Sequence, residues 1–569
     1  MKEINFQIND QTYTASPEES VLQVATRNNI QIPHFCHHDD LPTEPRCRTC
    51  LVETEGKVVT SCSLKITDGL SVYTDTAKVK EMRQTNLELL LAGHKQNCPK
   101  CKEGLHCRVA IEMEKYQISG EKYNFPKTAT AHIHKMCHAA EIDPKLCIAC
   151  NKCVEICQKT GTNFLKLKGK NHQTHAGPTD IEGIDCIYCG QCTVHCPVGA
   201  AREQSEIEPV EKALADETKV VIAQMAPSVR VSIGEEFGLP VGTNLTKQSY
   251  TALKKLGFNK VFDVNMGADI TTIVEAQELA KRIKEDRDLP MFTSCCPAWV
   301  KFMEFHHPDL LNHLTTSRSP QIHAGGVYKT WWAEKENIDP KNIVVVSLMP
   351  CTSKKYEARH KKLDINGMPP VDYVLTTREM AAILKKNNID LPNLEPSEAD
   401  SLGLYSGAGA IYGASGGVME SALRTAYHEL TGEELEKVEF ESVRGVKGIK
   451  KAEIKIGDRV LKVAVVATMK NANKVISEIR TNPKAYDYIE VMACPGGCIG
   501  GGGQPIPTTM KIVRERIKSL YSMDSGMELR KAHLNPVVRD FFDNYAKNLS
   551  EEEIKSILET NYSHKNKYE

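Results

Sequence analysis

The sequence lacks the features of a membrane, secreted or nucleic-acid-binding protein. It has no run of about 18 apolar residues, which excludes a transmembrane helix. Its amino terminus alternates polar and apolar residues instead of placing an apolar stretch after a charged one. We therefore expect no secretory signal and a cytoplasmic location. The 72 basic and 73 acidic residues leave a net charge of −1, so no large basic field is available to bind nucleic acid or a membrane.

Length excludes a single hydrophobic core. The chain has 569 residues, whereas single cores stop growing at roughly 250–300 residues, so we expect two to four domains. Hydrophobic residues make up 41% of the chain and charged residues 25%, as in ordinary folded domains.

What the chain has in excess is cysteine, with 21 residues. All of them except Cys137 fall into closely spaced groups. For Cys137, a buried or incidental thiol is the simplest interpretation. Disulfides rarely persist in a reducing cytosol, so these groups indicate metal ligands.

The strongest pattern is an internal repeat in which three cysteines two residues apart are followed by a fourth. It comprises Cys147, Cys150, Cys153 and Cys157, then Cys186, Cys189, Cys192 and Cys196. This spacing is typical of bacterial two-cluster ferredoxins, where the fourth cysteine of each run binds the other 4Fe–4S cluster. We therefore assign Cys196 to the first triplet and Cys157 to the second. Structural zinc is disfavoured because zinc ligands come in pairs.

Two further groups precede the repeat. Cys36, Cys47, Cys50 and Cys62 match the plant-type 2Fe–2S pattern loosely, since the first interval is longer; zinc is the alternative. The second group, His94, Cys98, Cys101 and Cys107, has one imidazole and could bind a 4Fe–4S cluster or a zinc ion. His94 could also be an ordinary histidine at a helix end.

The chain is expected to combine α+β and α/β domains. Apolar runs beginning near residues 220, 261, 343, 463 and 489 suit buried strands of an α/β sheet. Two of them end directly at Cys351 and Cys494, where open α/β sheets place their sites. Residues 159–182, rich in Lys, Gly and Thr, are expected to form a loop. We predict five units: a plant-ferredoxin-like β-grasp domain at 1–78, a His/Cys cluster domain at 79–118, a two-cluster bacterial ferredoxin-like domain at 138–209, a large α/β domain at 210–509 and a helical wrap at 510–569.

Three motifs in the large domain resemble, in order, the signatures of the iron-only (FeFe) hydrogenases. They are 292–299 (FTSCCPAW), 349–357 (MPCTSKKYE) and 490–505 (EVMACPGGCIGGGGQP). The amino-terminal cluster modules resemble the clostridial form of this family, with four accessory clusters, and 530–536 (RKAHLNP) is similar to its small-subunit region. The resemblance implies an H-cluster, which is a 4Fe–4S cube joined to a two-iron unit with CO, cyanide and a bridging dithiolate. By motif position its ligands are Cys296, Cys351, Cys494 and the bridging Cys498.

The resemblance also implies a proton path. Its thiol at the active centre is Cys295, and its outer members are Glu275, Glu278, Thr315 and Arg282. Glu275 and Glu278 are three residues apart on a predicted helix and share a face; without the resemblance, a solvated acidic face is the simpler interpretation. Thr315 takes the place of a hydroxyl that is often serine in the family.

Further side chains are implied at the two-iron unit, namely Pro227, Ser228, Gln321, Met349, Lys354 and Met492. Lys354 suits an anionic cyanide ligand, and the methionines suit an apolar wall, with core packing as their alternative role. Ala298 departs from the glycine more usual in the first signature. Tyr412 stands where clostridial members have phenylalanine.

We therefore expect a cytoplasmic iron-only hydrogenase that interconverts protons and H2. The resemblance implies electrons from ferredoxin or flavodoxin, one 2Fe–2S cluster, three accessory 4Fe–4S clusters, an H-cluster and maturation proteins as partners. A related iron–sulfur assembly protein is disfavoured by the intact Cys295, and a hydrogen sensor by the lack of room for a signalling domain. A subunit of a complex that also uses NADH is disfavoured because no cysteine follows Cys498.

Overall fold

The structure is a computed structural model that describes residues 3–94, 107–119, 122–123, 125 and 132–567. Its amino-terminal unit is a small sheet packed on a helix, in which β1 pairs with β2 in antiparallel and with β5 in parallel orientation. Alternate residues of β1, Phe6 and Ile8, are buried against Val21 and Leu22 of the helix. The elements are β1 (Ile4–Ile8), β2 (Gln11–Ala15), α1 (Val21–Arg27), β3 (Leu51–Thr54), β4 (Lys57–Thr60) and β5 (Ser71–Val72).

The next region combines short helices with three-residue and four-residue strands. Its elements are α2 (Ala77–Leu91), α3 (Arg108–Lys115), β6 (His134–Met136), β7 (Ala140–Ile142), α4 (Lys152–Lys159), β8 (Leu165–Lys168), β9 (His175–Pro178), α5 (Gln191–Val194) and β10 (Ala201–Glu203). The expectation of a loop at 159–182 is wrong, because β8 and β9 form an antiparallel hairpin there. Leu165 and Ala176 are buried beneath it, and that burial outweighs the polar composition of the segment.

Two four-stranded sheets form the centre of the large domain. The first has the order β12-β11-β14-β15 and is entirely parallel; the second has the order β13-β18-β17-β16, with β16 antiparallel at the edge. All five apolar runs of the sequence are strands of these sheets. The strands are β11 (Val220–Met225), β12 (Lys260–Asp263), β13 (Met291–Phe292), β14 (Ile343–Met349), β15 (Tyr373–Thr376), β16 (Ile449–Ile456), β17 (Arg459–Ala467) and β18 (Tyr488–Met492).

Helices and short turns surround both sheets. The longest, α9, begins directly after β12 and is buried over most of its length. The helices of this domain are α6 (Ile207–Leu214), α7 (Pro227–Arg230), α8 (Thr246–Leu256), α9 (Val264–Glu285), α10 (Pro297–His306), α11 (Pro320–Val327), α12 (Ala333–Lys335), α13 (Ser353–Glu357), α14 (Thr377–Lys386), α15 (Gly407–Ala410), α16 (Gly417–Thr431) and α17 (Met469–Thr481).

The carboxyl-terminal segment is helical, as predicted, and consists of α18 (Met510–Ser525), α19 (Pro536–Asp540) and α20 (Glu551–Leu558). A buried ion-pair network fixes it to the large domain. Arg424 of α16 donates to both carboxylate oxygens of Asp524 at 2.8 Å and to Glu420 at 2.8 Å. In the described part of the chain no helix is long and apolar enough to cross a bilayer. The location in the cell stays a prediction.

Candidate cluster and active sites

The four amino-terminal cysteines converge in buried loops of the first unit. The sulfurs of Cys36 and Cys47 lie 3.3 Å apart, and the thiol of Cys50 is hydrogen bonded to Cys62. All four side chains are buried. Four converging sulfurs are a donor set that fits a 2Fe–2S cluster.

The repeat brings its cysteines together in the crossed arrangement. Cys147, Cys150, Cys153 and Cys196 line one small cavity whose other walls are mostly apolar. On the other side, Cys157 is close enough to Cys186 and Cys192 that its charge raises the pKa of both thiols, after the larger effect of burial. Backbone N–H groups point at the sulfurs, as from Ala149 to Cys147 at 3.4 Å. Ala149 (φ 55°) and Tyr188 (φ 60°), each between two cysteines of a triplet, have left-handed backbone.

The second amino-terminal group is described in part, since Cys98 and Cys101 lie outside the described residues. The Nδ1 atom of His94 lies 2.8 Å from the carbonyl oxygen of Leu146. A histidine that donates from Nδ1 keeps its Nε2 lone pair for a metal. The assignment of His94, Cys98, Cys101 and Cys107 to a cluster stays a prediction.

The cysteines of the three signature motifs meet where strands of both sheets end. Cys296 precedes α10, Cys351 follows β14, and Cys494 and Cys498 follow β18. Burial raises the pKa of Cys296, and burial together with the other three thiols raises that of Cys494. Thiolates are therefore costly here without a compensating positive charge, which the irons of a cluster would supply. The donor set fits the cube.

A mostly apolar cavity adjoins these cysteines. Two polar atoms on its walls, Ser228 Oγ and Gln321 Oε1, are buried and have no hydrogen-bond partner within the described residues. Buried polar atoms in native structures almost always have a partner, so these atoms fit a polar ligand group in the cavity. The structure places all six side chains expected around the two-iron unit on this wall: Pro227, Ser228, Gln321, Met349, Lys354 and Met492.

Lys354 is the one cation on the cavity wall among the residues that line it. Its Nζ donates to Glu357 at 2.8 Å and to the backbone carbonyl of Cys295 at 3.1 Å. Burial lowers the pKa of Lys354, but Glu357 and the neighbouring thiols outweigh that effect and raise it overall. The ammonium group therefore stays charged and can face an anionic ligand. Glu357 also accepts from Gln321 Nε2 at 2.7 Å, which fixes both side chains.

The residues of the expected proton path form two separate hydrogen-bonded groups. In the outer group, Glu278 accepts from Thr315 Oγ1 at 2.6 Å and from Arg282 at 2.6 Å. In the inner group, Glu275 Oε1 accepts from the hydroxyl of Tyr488 at 2.9 Å, and Glu275 Oε2 has no partner in the described chain. No hydrogen bond joins Glu275 to Thr315 or to Cys295 among the described residues.

The two carboxylates differ in how far they are exposed to solvent. The side chain of Glu278 is 17% exposed, whereas Glu275 is 1% exposed. Burial raises the pKa of Glu275 to about 8, against a smaller lowering by the Tyr488 hydroxyl. Glu275 is therefore neutral near pH 7 and able to give or take a proton. Sequence reasoning missed Tyr488, because nothing in the sequence links it to a residue 213 positions away.

The two departures from the family pattern lie beside this site. Tyr412 lines the cavity, and its hydroxyl is 2.8 Å from Thr272 Oγ1 on α9, which in turn is 2.8 Å from Ser421 Oγ. Ala298 is buried in the first turn of α10.

Comparison with known families covers most of the chain. Residues 219–502 match the iron only hydrogenase large subunit, C-terminal domain, and residues 510–565 the iron hydrogenase small subunit. Residues 1–77 match a 2Fe–2S iron–sulfur cluster binding domain and residues 146–200 a 4Fe–4S dicluster domain. The chain is thus a mixed α/β multidomain protein with ferredoxin-like domains and an H-cluster domain.

Individual relatives agree. Iron hydrogenase 1 of Clostridium pasteurianum is 40% identical over 550 residues, covering 95% of this chain and 96% of the relative. The NADP-reducing hydrogenase subunit HndD of Solidesulfovibrio fructosivorans is 39% identical over 571 residues, covering 96% and 97%. The structure of an apo [FeFe]-hydrogenase HydA1 variant from Chlamydomonas reinhardtii superposes with a TM-score of 0.56 at 37% identity, covering 62% of this chain and 98% of that one. The chain belongs to the iron-only (FeFe) hydrogenases.

Proposed function

We propose that this hydrogenase reduces protons to H2, reversibly, with electrons from reduced ferredoxin or flavodoxin. The observation that carries the proposal is the convergence of the described cysteine groups, the last of which adjoins a cavity where Ser228 Oγ and Gln321 Oε1 have no hydrogen-bond partner among the described residues. The proposed cofactors are one 2Fe–2S cluster, three accessory 4Fe–4S clusters and an H-cluster. When bound, the H-cluster supplies the irons at which electrons and protons combine. Maturation proteins are its proposed source.

The proposed ligands are those that the cysteine spacing and the family resemblance predict. We propose Cys36, Cys47, Cys50 and Cys62 for the 2Fe–2S cluster, and His94, Cys98, Cys101 and Cys107 for the first 4Fe–4S cluster. The other two accessory clusters take Cys147, Cys150, Cys153 and Cys196, and Cys157, Cys186, Cys189 and Cys192. The cube takes Cys296, Cys351, Cys494 and Cys498.

Electrons reach the cube from the cluster of the second triplet. Burial raises the pKa of Cys189, and so do the charges of Cys351 and Cys296, which places these thiols near one another. Two hydrogen bonds hold the modules together, since Gln191 Nε2 donates to Gly500 O at 2.8 Å and Thr193 Oγ1 to Gly502 O at 2.6 Å. These contacts support direct electron transfer between the two clusters when both are bound.

Replacing Gly190 with alanine tests this contact. An added Cβ would lie 2.3 Å from Thr352 Oγ1, at a φ of +67°. Beyond the backbone strain, we expect a loss of about 1–3 kcal/mol of stability from the overlap with Thr352, together with slower H2 evolution from an external electron donor. Gly183→Ala is the matched control, because Gly183 has a φ of +75° with no atom within 4 Å of the added Cβ. Equal unfolding midpoints and equal rates of H2 evolution in the two variants would mean that the contact at Gly190 supports neither stability nor electron transfer.

Protons are proposed to move from Glu278 and Arg282 through Thr315 to Glu275 and then to Cys295. The outer part is hydrogen bonded already. Transfer from Thr315 to Glu275, and from Glu275 to Cys295, requires a bridging water or a side-chain rotation. Burial gives the inner carboxyl a pKa of about 8, near operating pH, where a proton carrier is most effective.

Tyr488→Phe tests the position of Glu275 in this path. The Tyr488 hydroxyl donates to Glu275 and lowers its pKa, so its removal should raise that pKa. We expect the alkaline limb of the pH–rate profile to move to higher pH, with a rate loss of about tenfold. The exposed Tyr73→Phe serves as control. An unchanged profile in Tyr488→Phe would mean that Glu275 does not carry the protons.

One observation favours a second function, as a subunit of an NADP-reducing complex. It is the 39% identity to HndD over nearly the whole of both chains. The two functions differ in the donor that the purified chain accepts by itself. We expect H2 from reduced ferredoxin and none from NADPH. Evolution of H2 only after addition of partner subunits with NADPH would instead support the second function.

A further inference from the structure

Two histidines and a glutamate form a cluster outside the sites described above. The ligating atoms of His428, Glu434 and His533 all lie within 4.8 Å of one another. Glu434 Oε1 is 3.2 Å from His428 Nδ1 and 3.1 Å from His533 Nε2. In a tetrahedral zinc site with bonds of about 2.0–2.1 Å, ligand atoms lie roughly 3.4 Å apart. The carboxylate is thus already at ligand spacing from both imidazoles.

The backbone brings these residues together from two segments. His428 lies in the last turn of α16, and Gly432, at a φ of +73°, ends that helix with its N–H donating to His428 O at 2.8 Å. The turn returns the chain so that Glu434 lies beside His428. His533 comes from the short 3-10 helix Ala532–Leu534 of the carboxyl-terminal segment. The cluster therefore spans the junction between α16 and that segment.

Neighbouring side chains orient the donor atoms. Lys531 Nζ donates to Glu434 Oε2 at 2.7 Å, which leaves Oε1 facing the imidazoles. His533 Nδ1 lies 3.2 Å from Thr425 Oγ1, so one ring nitrogen is held while Nε2 faces the carboxylate. A polar partner on the second nitrogen is the usual arrangement at metal-binding histidines. The positive charge of Lys531 weakens cation binding without preventing it.

The second observation is an imidazole nitrogen that lacks a hydrogen bond. The Nδ1 atom of His428 has no hydrogen bond in the described part of the chain, although Glu434 Oε1 is 3.2 Å away and the two side chains are 41% and 46% exposed. One cation would satisfy both imidazole nitrogens and the carboxylate oxygen together.

We propose that His428, Glu434 and His533 bind a divalent transition-metal ion, preferentially Zn²⁺, with water as the fourth ligand. Two imidazoles and one carboxylate suit Zn²⁺ and disfavour Mg²⁺ and Ca²⁺, which take oxygen ligands. The ion fastens the carboxyl-terminal segment to α16. The site is independent of the clusters, since none of its ligands belongs to the cysteine groups.

The test is Zn²⁺ binding to the full-length, cluster-loaded protein by equilibrium dialysis and metal analysis. The control is His564→Ala, which removes an exposed histidine outside the cluster. We expect the wild type and this control each to bind one Zn²⁺ more than His428→Ala or His533→Ala. The affinity of these two variants for Zn²⁺ should fall about 10–100-fold or more. Zn²⁺ should also raise the unfolding midpoint of the wild type and of the control, but not that of the cluster variants. Glu434→Gln, which keeps the side-chain shape, should lose affinity as well.

Equal Zn²⁺ stoichiometry and affinity in all these proteins would overturn the proposal, as would the absence of Zn²⁺ binding in the wild type. Competition by Mg²⁺ at equal concentration would also contradict it, because that result identifies a non-selective acidic surface. The iron content and the visible spectrum of each variant verify that its clusters are intact, so that the readout concerns this site alone.

Discussion

Replacing Cys295 with alanine should lower H2 evolution by about 10²–10⁴-fold, the usual contribution of a positioned proton donor. The side chain lines the cavity and is buried. Lys354 contacts the backbone carbonyl of Cys295 at 3.1 Å, so that contact does not use the thiol. Burial raises the pKa of the thiol, which keeps it protonated and able to deliver a proton.

The measurement is the rate with reduced ferredoxin, together with the infrared spectrum of the same sample. Cys137→Ala is the matched control, since Cys137 belongs to none of the cysteine groups and should keep full activity. A Cys295→Ala protein with intact infrared bands and more than a tenth of the wild-type rate would exclude Cys295 as the main donor. Loss of the bands would show instead that the residue is needed to hold the cofactor.

Replacing Glu275 with glutamine should lower the rate by about 10²–10³-fold, because glutamine keeps the shape of the side chain but cannot carry a proton. The hydrogen bond from Tyr488 can still form with the amide oxygen. Glu285→Gln, an exposed change on the same helix, should leave the rate unchanged. Retention of most activity in Glu275→Gln would mean that protons reach Cys295 by another route.

The same substitution should change how stability depends on pH. Burial raises the pKa of Glu275 to about 8 in the folded protein, above its unfolded value, so the folded state binds the proton more tightly. Its contribution to stability is present below the unfolded pKa and is lost as pH rises through 8. Glutamine does not ionise. We therefore expect the unfolding midpoint of Glu275→Gln to fall less, or rise more, between pH 5 and pH 8 than that of the wild type.

Local spacing made the cluster sites predictable from the sequence. Three thiols two residues apart can reach one cube without any knowledge of tertiary structure, and the cavity shared by Cys147, Cys150, Cys153 and Cys196 agrees with the crossed assignment. The buried strands were also predictable, since continuous apolar runs have few alternatives in an α/β protein. The proposed role of Cys295 depends on the family resemblance and not on spacing.

Contacts between distant segments were not predictable. Tyr488 lies on β18 and Glu275 on α9, and their hydrogen bond exists only because the second sheet packs against that helix. The β8–β9 hairpin was missed because its polar residues face outward, while burial of Leu165 and Ala176 decides the structure. His428 and His533 come together across 105 positions (533 − 428), with no motif that marks either as a ligand.

The infrared spectrum of the anaerobically purified chain, produced together with the maturation proteins of the family, tests the central claim most directly. The account predicts sharp CO and cyanide bands that shift under H2, because the cavity beside Cys498 is proposed to hold the two-iron unit. An iron content that matches the 4Fe–4S clusters, in a spectrum without CO and cyanide bands, would contradict this claim. That result would favour an iron–sulfur protein that lacks the two-iron unit.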